Sequence, residues 1–331
     1  MKIHAFRGYR YGIGKVADIS KVVAPPYDQI SSPMQRRLHD MDPHNIVRLT
    51  LPLNSQYAEA RLVLDRWCAE QSWQPEERPA IYAYHQTYKA GGAPITRMGF
   101  VALGEVSDYA RGEVLPHERT HAGPKRDRLA LLEATGADIG LLFMLVGDPD
   151  GALVRSINPG GAPTVEARDL RGEHHTLWRI TDEATIAAVT RHVAERPVII
   201  ADGHHRYETA VGYAASHPAA RNKLMAFFPL EGPGLTILPN HRLVHNVDGF
   251  DIERFLSAAT TSFDVAPLGD PLTFRPENGK LAVVTRDRAA VLTLRDDALI
   301  VWPNGTSNAW RRLAVSILHE GLLHPFLDIT D

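Results

Sequence analysis

Cysteine is nearly absent from this chain: Cys68 is its one thiol in 331 residues. That excludes an internal disulfide and any multi-cysteine zinc site, and it suits a reducing cytosol. Cys68 lies beside Trp67 in a helical run and is expected to pack in the core. Long apolar runs are missing too. The longest, Leu141 to Val146, is far too short to cross a bilayer, and the start MKIHAFRGYRYG has no apolar signal-peptide core. A cytoplasmic protein with no membrane partner is expected. Charge of one sign is also lacking, with a formal net charge of −3, which argues against a nucleic-acid partner bound through bulk phosphate neutralisation. No Walker motif, internal repeat or low-complexity linker occurs. What remains is ordinary for a globular chain, 44% hydrophobic and 23% charged, and long enough for one large domain or two intimate ones.

The most informative stretch is residues 197–211, PVIIADGHHRYETAV. A short apolar run of strand type meets the Asp202-Gly203 turn, and Tyr207, Ala210 and Val211 follow at helical spacing. The pattern predicts strand, tight turn and helix, with the free N–H groups of the helix start favouring an anion. Asp202, His204, His205 and Arg206 crowd that turn with groups that bind metal, move protons or hold phosphate. A capping aspartate with packed or solvated histidines is the plainer alternative.

Earlier in the chain, the rigid Pro25-Pro26 pair presents Tyr27 and Asp28 at a fixed place, for a ligand or as a stiff loop. Ser32-Pro33 predicts a helix start, and Asn45–Leu49 a strand. Residues 56–71 predict an amphipathic helix with Ala58, Leu62 and Trp67 inside. Ala80–Tyr88 and Thr96–Val106 read as a hairpin. Then comes GEVLPHERTHAGPKRDRLALLEATG, residues 112–136. It puts His117, Glu118, Thr120 and His121 in a loop before a helix that opens with Lys125, Arg126 and Arg128. A carboxylate and hydroxyl beside three cations suit phosphoryl transfer, which depends on positioning and charge neutralisation. A solvated charged loop has the same composition. Further strands are expected over 139–146 and within 152–180, a helix from Asp182, and strands over 225–230 and 235–244, the last carrying His241 and Arg242. The C-terminal third predicts a helix, strands at 280–285, 289–294 and 298–302, and a final helix over 308–322.

APPYD (24–28), NIVRL (45–49), PHERT (116–120) with its following helix, ADGHHRYETA (201–210) and LPNHRLV (238–244) together resemble the prokaryotic domain-of-unknown-function family 1015. The chain is identified as a member, although other members usually continue past the helix at 313–319 with a further segment. The strand–Asp-Gly-His-His-Arg–helix unit is also similar to the phosphate-binding turn of the ParB/sulfiredoxin superfamily, above all to its free L-serine kinases. That resemblance implies an α+β fold, a mixed sheet flanked by helices, with a nucleotide-binding core over 1–245 and an added portion over 246–331. It implies a phosphotransferase using Mg2+ with ADP or ATP, and free L-serine as the leading acceptor. Gly203, Arg206, Lys125, Arg128 and Thr120 would hold phosphates. Asp202, with His204 or His205, would place the metal or transferring group, and Glu118 would accept the hydroxyl proton. His117, Tyr27, Asp28, His241 and Arg242 would line the acceptor. A nucleotide-sensing regulator without turnover, and a mononuclear metal hydrolase built on Asp202, His204 or His205, and His117, remain alternatives.

Overall fold

The computed structural model describes residues 1–118, 122–237 and 241–329. In chain order the first unit runs β1 (Ile3–His4), β2 (Tyr9–Tyr11), α1 (Ser32–Met41), α2 (Val47–Thr50), α3 (Tyr57–Ala69), β3 (Trp73–Pro75), β4 (Ile81–Ala90), β5 (Ala93–Glu105), β6 (Val114–Leu115), α4 (Ala122–Thr135) and β7 (Leu142–Val146). It continues α5 (Ala152–Ile157), β8 (Val165–Arg168), β9 (His174–Ile180), α6 (Glu183–Ala194), β10 (Val198–Asp202), α7 (His204–Ser216) and β11 (Asn222–Pro229). The chain divides into two units, Met1–Thr236 and Ile237–Asp331.

Among the described residues, the first unit holds a nine-stranded mixed sheet in the order β6-β10-β7-β11-β5-β4-β9-β8, with β1 alongside β5. The pairs β6–β10 and β7–β11 are parallel and the other neighbours antiparallel. The fold is therefore α+β, a mixed sheet flanked by helices. Strand periodicity sorts its faces. Val198 and Ile200 of β10, with Met225 and Phe227 of β11, join the main core, where Leu153 and Ile157 of α5, Val189 and Val193 of α6 and Tyr207 of α7 cover them. Ile199, Ala201, Ala226 and Phe228 point to the opposite face, beside Tyr84, Phe143 and Leu145. A third cluster gathers Leu49, Val63 and Trp67 with Tyr11 and Trp73.

The second unit contains α8 (Ile252–Ala259), β12 (Phe263–Pro267), β13 (Lys280–Val284), β14 (Ala289–Leu294), α9 (Asn308–Arg311), α10 (Ala314–Leu318), a π-helical turn at His319–Leu323 and α11 (His324–Leu327). Its strands form an antiparallel sheet in the order β12-β14-β13, over a core that includes Phe255, Leu256, Phe263, Leu292, Ile317 and Leu322. Among the described residues no helix is long and apolar enough to cross a membrane.

Several local expectations give way to tertiary contacts. Residues 45–49 are not a strand. The buried Asn45 donates from Nδ2 to the carbonyls of Lys21 and Val23 at 2.7 and 3.2 Å and accepts the Val47 N–H at 3.0 Å, which starts the short helix α2. In α3 the inward residues are Ala60, Val63 and Trp67, whereas Leu62 is 69% exposed and Ala58 and Cys68 are exposed. Residues 152–157 form α5 rather than a strand. The described parts of 235–244 carry no strand, nor does 298–302. The single helix expected over 308–322 is broken into short pieces around the π turn. The start of α1 shifts by one residue: Ser31 is the cap, its hydroxyl accepting the Met34 N–H at 3.4 Å.

Candidate functional site

Parallel pairing assembles the site. Val114 and Leu115 of β6 lie opposite Val198 and Ile199 of β10, so both strands run the same way along the sheet edge. The residues that follow them, Pro116-His117-Glu118 and Asp202-Gly203-His204, are thereby delivered to the same end. Carboxyl ends of parallel strands are where α/β sheets place ligands. The register of β10 against β7 shifts between Ile200 and Asp202, an irregularity of the kind that re-aims side chains beside functional sites.

Gly203 closes the turn with φ +102°. A Cβ there would stand 2.7 Å from Leu142 Cδ2 and 3.2 Å from the Arg206 guanidinium, so both the backbone angle and the space demand glycine. Gly203 is the N-cap of α7, a helix of 13 residues, and supplies no side-chain cap to its first turn.

Around that turn the histidines are fixed by their outer partners. The His117 Nδ1–H donates to the Ile200 carbonyl at 2.7 Å, which leaves Nε2 bare. The His117 backbone N–H donates to His204 Nε2 at 3.2 Å. Nε2 is therefore the acceptor of His204, and its proton sits on Nδ1. That Nδ1 lies 3.5 Å from Glu118 Oε2, while His117 Nε2 lies 3.6 Å from Glu118 Oε1. His204 is 2% exposed, and burial, reinforced by the neighbouring His117, pulls its pKa below the ordinary histidine value. It is a neutral imidazole at pH 7, presenting an N–H toward a half-exposed carboxylate.

His117, Glu118 and His204 each offer one possible ligand atom within 4.8 Å of the others. Spacing alone would admit a metal. The hydrogen bonds oppose it: with Nε2 of His204 accepting an N–H, ligation through Nδ1 would require a ring without either proton. The arrangement suits a positioned carboxylate base better than a three-ligand metal centre. Among the described residues, Glu118 Oε1 and His117 Nε2 face one another 3.6 Å apart, a span that a substrate hydroxyl can bridge.

The expected phosphate-binding cations are present and paired. Arg206 donates to the Asp202 carboxylate and to the Leu141 carbonyl. Lys125 Nζ meets Glu208 Oε2 at 3.0 Å. Arg128, 9% exposed, donates to Asp127 at 2.8 Å and to the Thr50 carbonyl at 2.7 Å, and its guanidinium carbon lies 3.8 Å from the Tyr27 ring centroid. The Tyr27 hydroxyl pKa is raised, chiefly by burial, with Arg128 and Arg206 opposing. Thus Tyr27 of the Pro-Pro-Tyr motif docks on α4, and α4 meets α7 through Lys125–Glu208 and the Thr209 hydroxyl, which donates to the Lys125 carbonyl at 3.5 Å. His205 is half-buried and Asp28 exposed. Thr120 and His121 lie outside the described residues. His241 and Arg242 are exposed residues of the second unit.

Sequence reading missed Lys223 and Asp138. Lys223, 7% exposed, bonds the Asp138 carboxylate and the Gly140 carbonyl beside Arg206, and burial lowers its pKa. A lysine at the start of β11 carries no local signal of this; only the strand pairing puts it there.

Fold and site together define an α+β protein whose strand–glycine turn–helix unit and Glu118 carboxylate, the latter beside His117 and His204, lie at the ends of two parallel strands. The chain belongs to the family described as "Protein of unknown function (DUF1015)", whose model matches residues 3–316. Searches among curated proteins and among solved structures find no match.

Proposed function

We propose that this protein is a phosphotransferase that moves a phosphoryl group from ADP or ATP, with Mg2+, to a small hydroxyl compound, free L-serine being the leading acceptor. The observation that carries the reading is the Glu118 carboxylate standing 3.5 and 3.6 Å from His204 Nδ1 and His117 Nε2 beside the uncapped start of α7. A base and an anion cradle side by side are what hydroxyl phosphorylation needs. Glu118 would accept the hydroxyl proton. The N–H of His204 would orient that carboxylate, and the α7 terminus with Arg206 would hold phosphate oxygens. Asp202, whose side chain is 48% exposed, fits Mg2+, which takes one or two carboxylates and completes its shell with water and phosphate oxygens. Arg206 would exchange Asp202 for phosphate as the metal takes the carboxylate.

The test is phosphorus NMR of the purified protein with Mg2+, L-serine and either ADP or ATP, beside the Glu118→Gln protein. A phosphoserine resonance is expected, with turnover about a hundred- to ten-thousandfold lower in the variant and nucleotide binding retained. Arg206→Ala should instead weaken nucleotide binding. Broadened nucleotide lines without product would favour a nucleotide sensor, and silence in both would refute the nucleotide reading.

A further inference from the structure

A second constellation lies on the opposite face of the sheet, around the turn that joins β8 to β9. Asp169, Glu173 and His175 each offer one ligand atom within 4.8 Å of the others, and all three are half-buried. Each is held from behind. Asp169 Oδ1 accepts the backbone N–H groups of Arg171 and Glu173, both at 2.9 Å, which leaves Oδ2 toward His175. Glu173 Oε2 accepts from Gln86 Nε2 at 2.5 Å, and the Gln86 carbonyl in turn accepts from Arg97. Because an arginine only donates, this relay fixes the Gln86 amide and requires Glu173 to be the acceptor. His175 Nδ1 lies 2.7 Å from the Tyr84 hydroxyl.

The decisive spacing is between His175 Nε2 and Asp169 Oδ2, 3.6 Å. That is too long for a hydrogen bond. Two ligand atoms each about 2.0–2.1 Å from a tetrahedral zinc stand about 3.4 Å apart, close to what is seen. The same spacing at His117–Glu118–His204 fails on its proton count, because His204 Nε2 faces an N–H. Here the outer partner is a hydroxyl, which accepts as readily as it donates. Nδ1–H can therefore bond Tyr84 and leave Nε2 bare. A ligating histidine whose other N–H is held by a buried outer partner is the usual second shell of a metal site.

We propose that Asp169, Glu173 and His175 form a divalent transition-metal site, with zinc as the best-matched ion, oriented by Tyr84 and Gln86 and separate from the Glu118 site. One imidazole and two carboxylates suit zinc, with manganese or cobalt as weaker occupants. The site stands independently of the phosphotransferase reading.

The test is equilibrium dialysis of the chelator-treated full chain against zinc chloride with metal analysis. One tightly bound equivalent is expected in the wild type and in His117→Ala. His175→Ala and Asp169→Asn should each weaken it more than tenfold, and Tyr84→Phe, which keeps the ring, by about 10–100-fold through the lost outer partner. Cobalt in place of zinc should give the intense visible absorption of a four-coordinate ion in the wild type, which reports the site even where a ligand variant folds poorly. No bound metal, binding indifferent to His175→Ala and Tyr84→Phe, or binding lost in His117→Ala would each overturn the proposal.

Discussion

Gly203 shows how one residue can be demanded twice, by its φ of +102° and by the 2.7 Å approach of Leu142 to a built Cβ. Gly203→Ala is expected to lower stability by about 1–3 kcal/mol, read from urea unfolding, before any effect on ligand binding is considered. His204 makes a different residue-scale prediction. Its folded pKa is depressed by burial, so the unfolded chain binds its proton more readily. The contribution of a neutral, buried His204 to stability is whole above the ordinary value of about 6.5 and is lost as pH falls through the lower folded pKa. The unfolding free energy of the wild type should therefore drop on acidification below about pH 6.5 more steeply than that of His204→Gln. The glutamine retains an acceptor for the His117 N–H without a titrating ring; equal slopes would show that His204 does not titrate as a buried group.

At the scale of elements, α3 shows helical period without helical phase. Alternation of apolar and polar residues over 56–71 places Leu62 and Trp67 equally well inside, yet Trp67 is 1% and Leu62 69% exposed. The phase is set by Trp73 and Tyr11 of the small β2–β3 sheet, whose rings lie 5.9 and 6.2 Å from that of Trp67. Trp67→Ala should cost about 3–5 kcal/mol, whereas Leu62→Ala should change stability by no more than about 0.5 kcal/mol, both measured as urea midpoints. Residues 45–49 teach the complementary lesson. NIVRL has strand composition, but Asn45 spends its side chain on Lys21, Val23 and Val47, so α2 forms where propensity favours β structure. Asn45→Ala would strand the Lys21 and Val23 carbonyls and the Val47 N–H. A loss of about 1–3 kcal/mol is expected in the same assay.

For the whole molecule, the two units have separate cores, one around the nine-stranded sheet and one around Phe255, Phe263 and Leu292. Residues 241–247 carry no helix or strand, and Leu243 is 90% exposed. Limiting trypsin should cut first after Arg242, giving fragments of 1–242 and 243–331 by mass spectrometry; first cleavage inside α4 or α6 would contradict this division.

What the sequence determined by itself is whatever its neighbours decide. The strand, glycine turn and helix of 197–211 were legible because a short apolar run, an Asp-Gly pair and a helical spacing all act within a few residues. The β4–β5 hairpin and the Asp182 cap, which accepts the Thr185 N–H at 2.8 Å, were legible for the same reason. Glu118 and His204 could be named as candidates, but their meeting could not be derived locally. It depends on β6 choosing β10 as a parallel neighbour, a pairing between segments more than 80 residues apart that the main core selects. The pairing of Arg206, Lys125 and Arg128 with carboxylates was hidden likewise, since charge patterning shows which residues are cationic and not which partner reaches them. Asp169, Glu173 and His175 sit in an unremarkable turn sequence, and Tyr84, Gln86 and Arg97 in a hairpin far upstream. Only the antiparallel register of β4 with β9, which sets Gln86 opposite His175, made them one network. Local chemistry is written in adjacent residues, whereas long-range pairing is settled by which strands can bury their faces together.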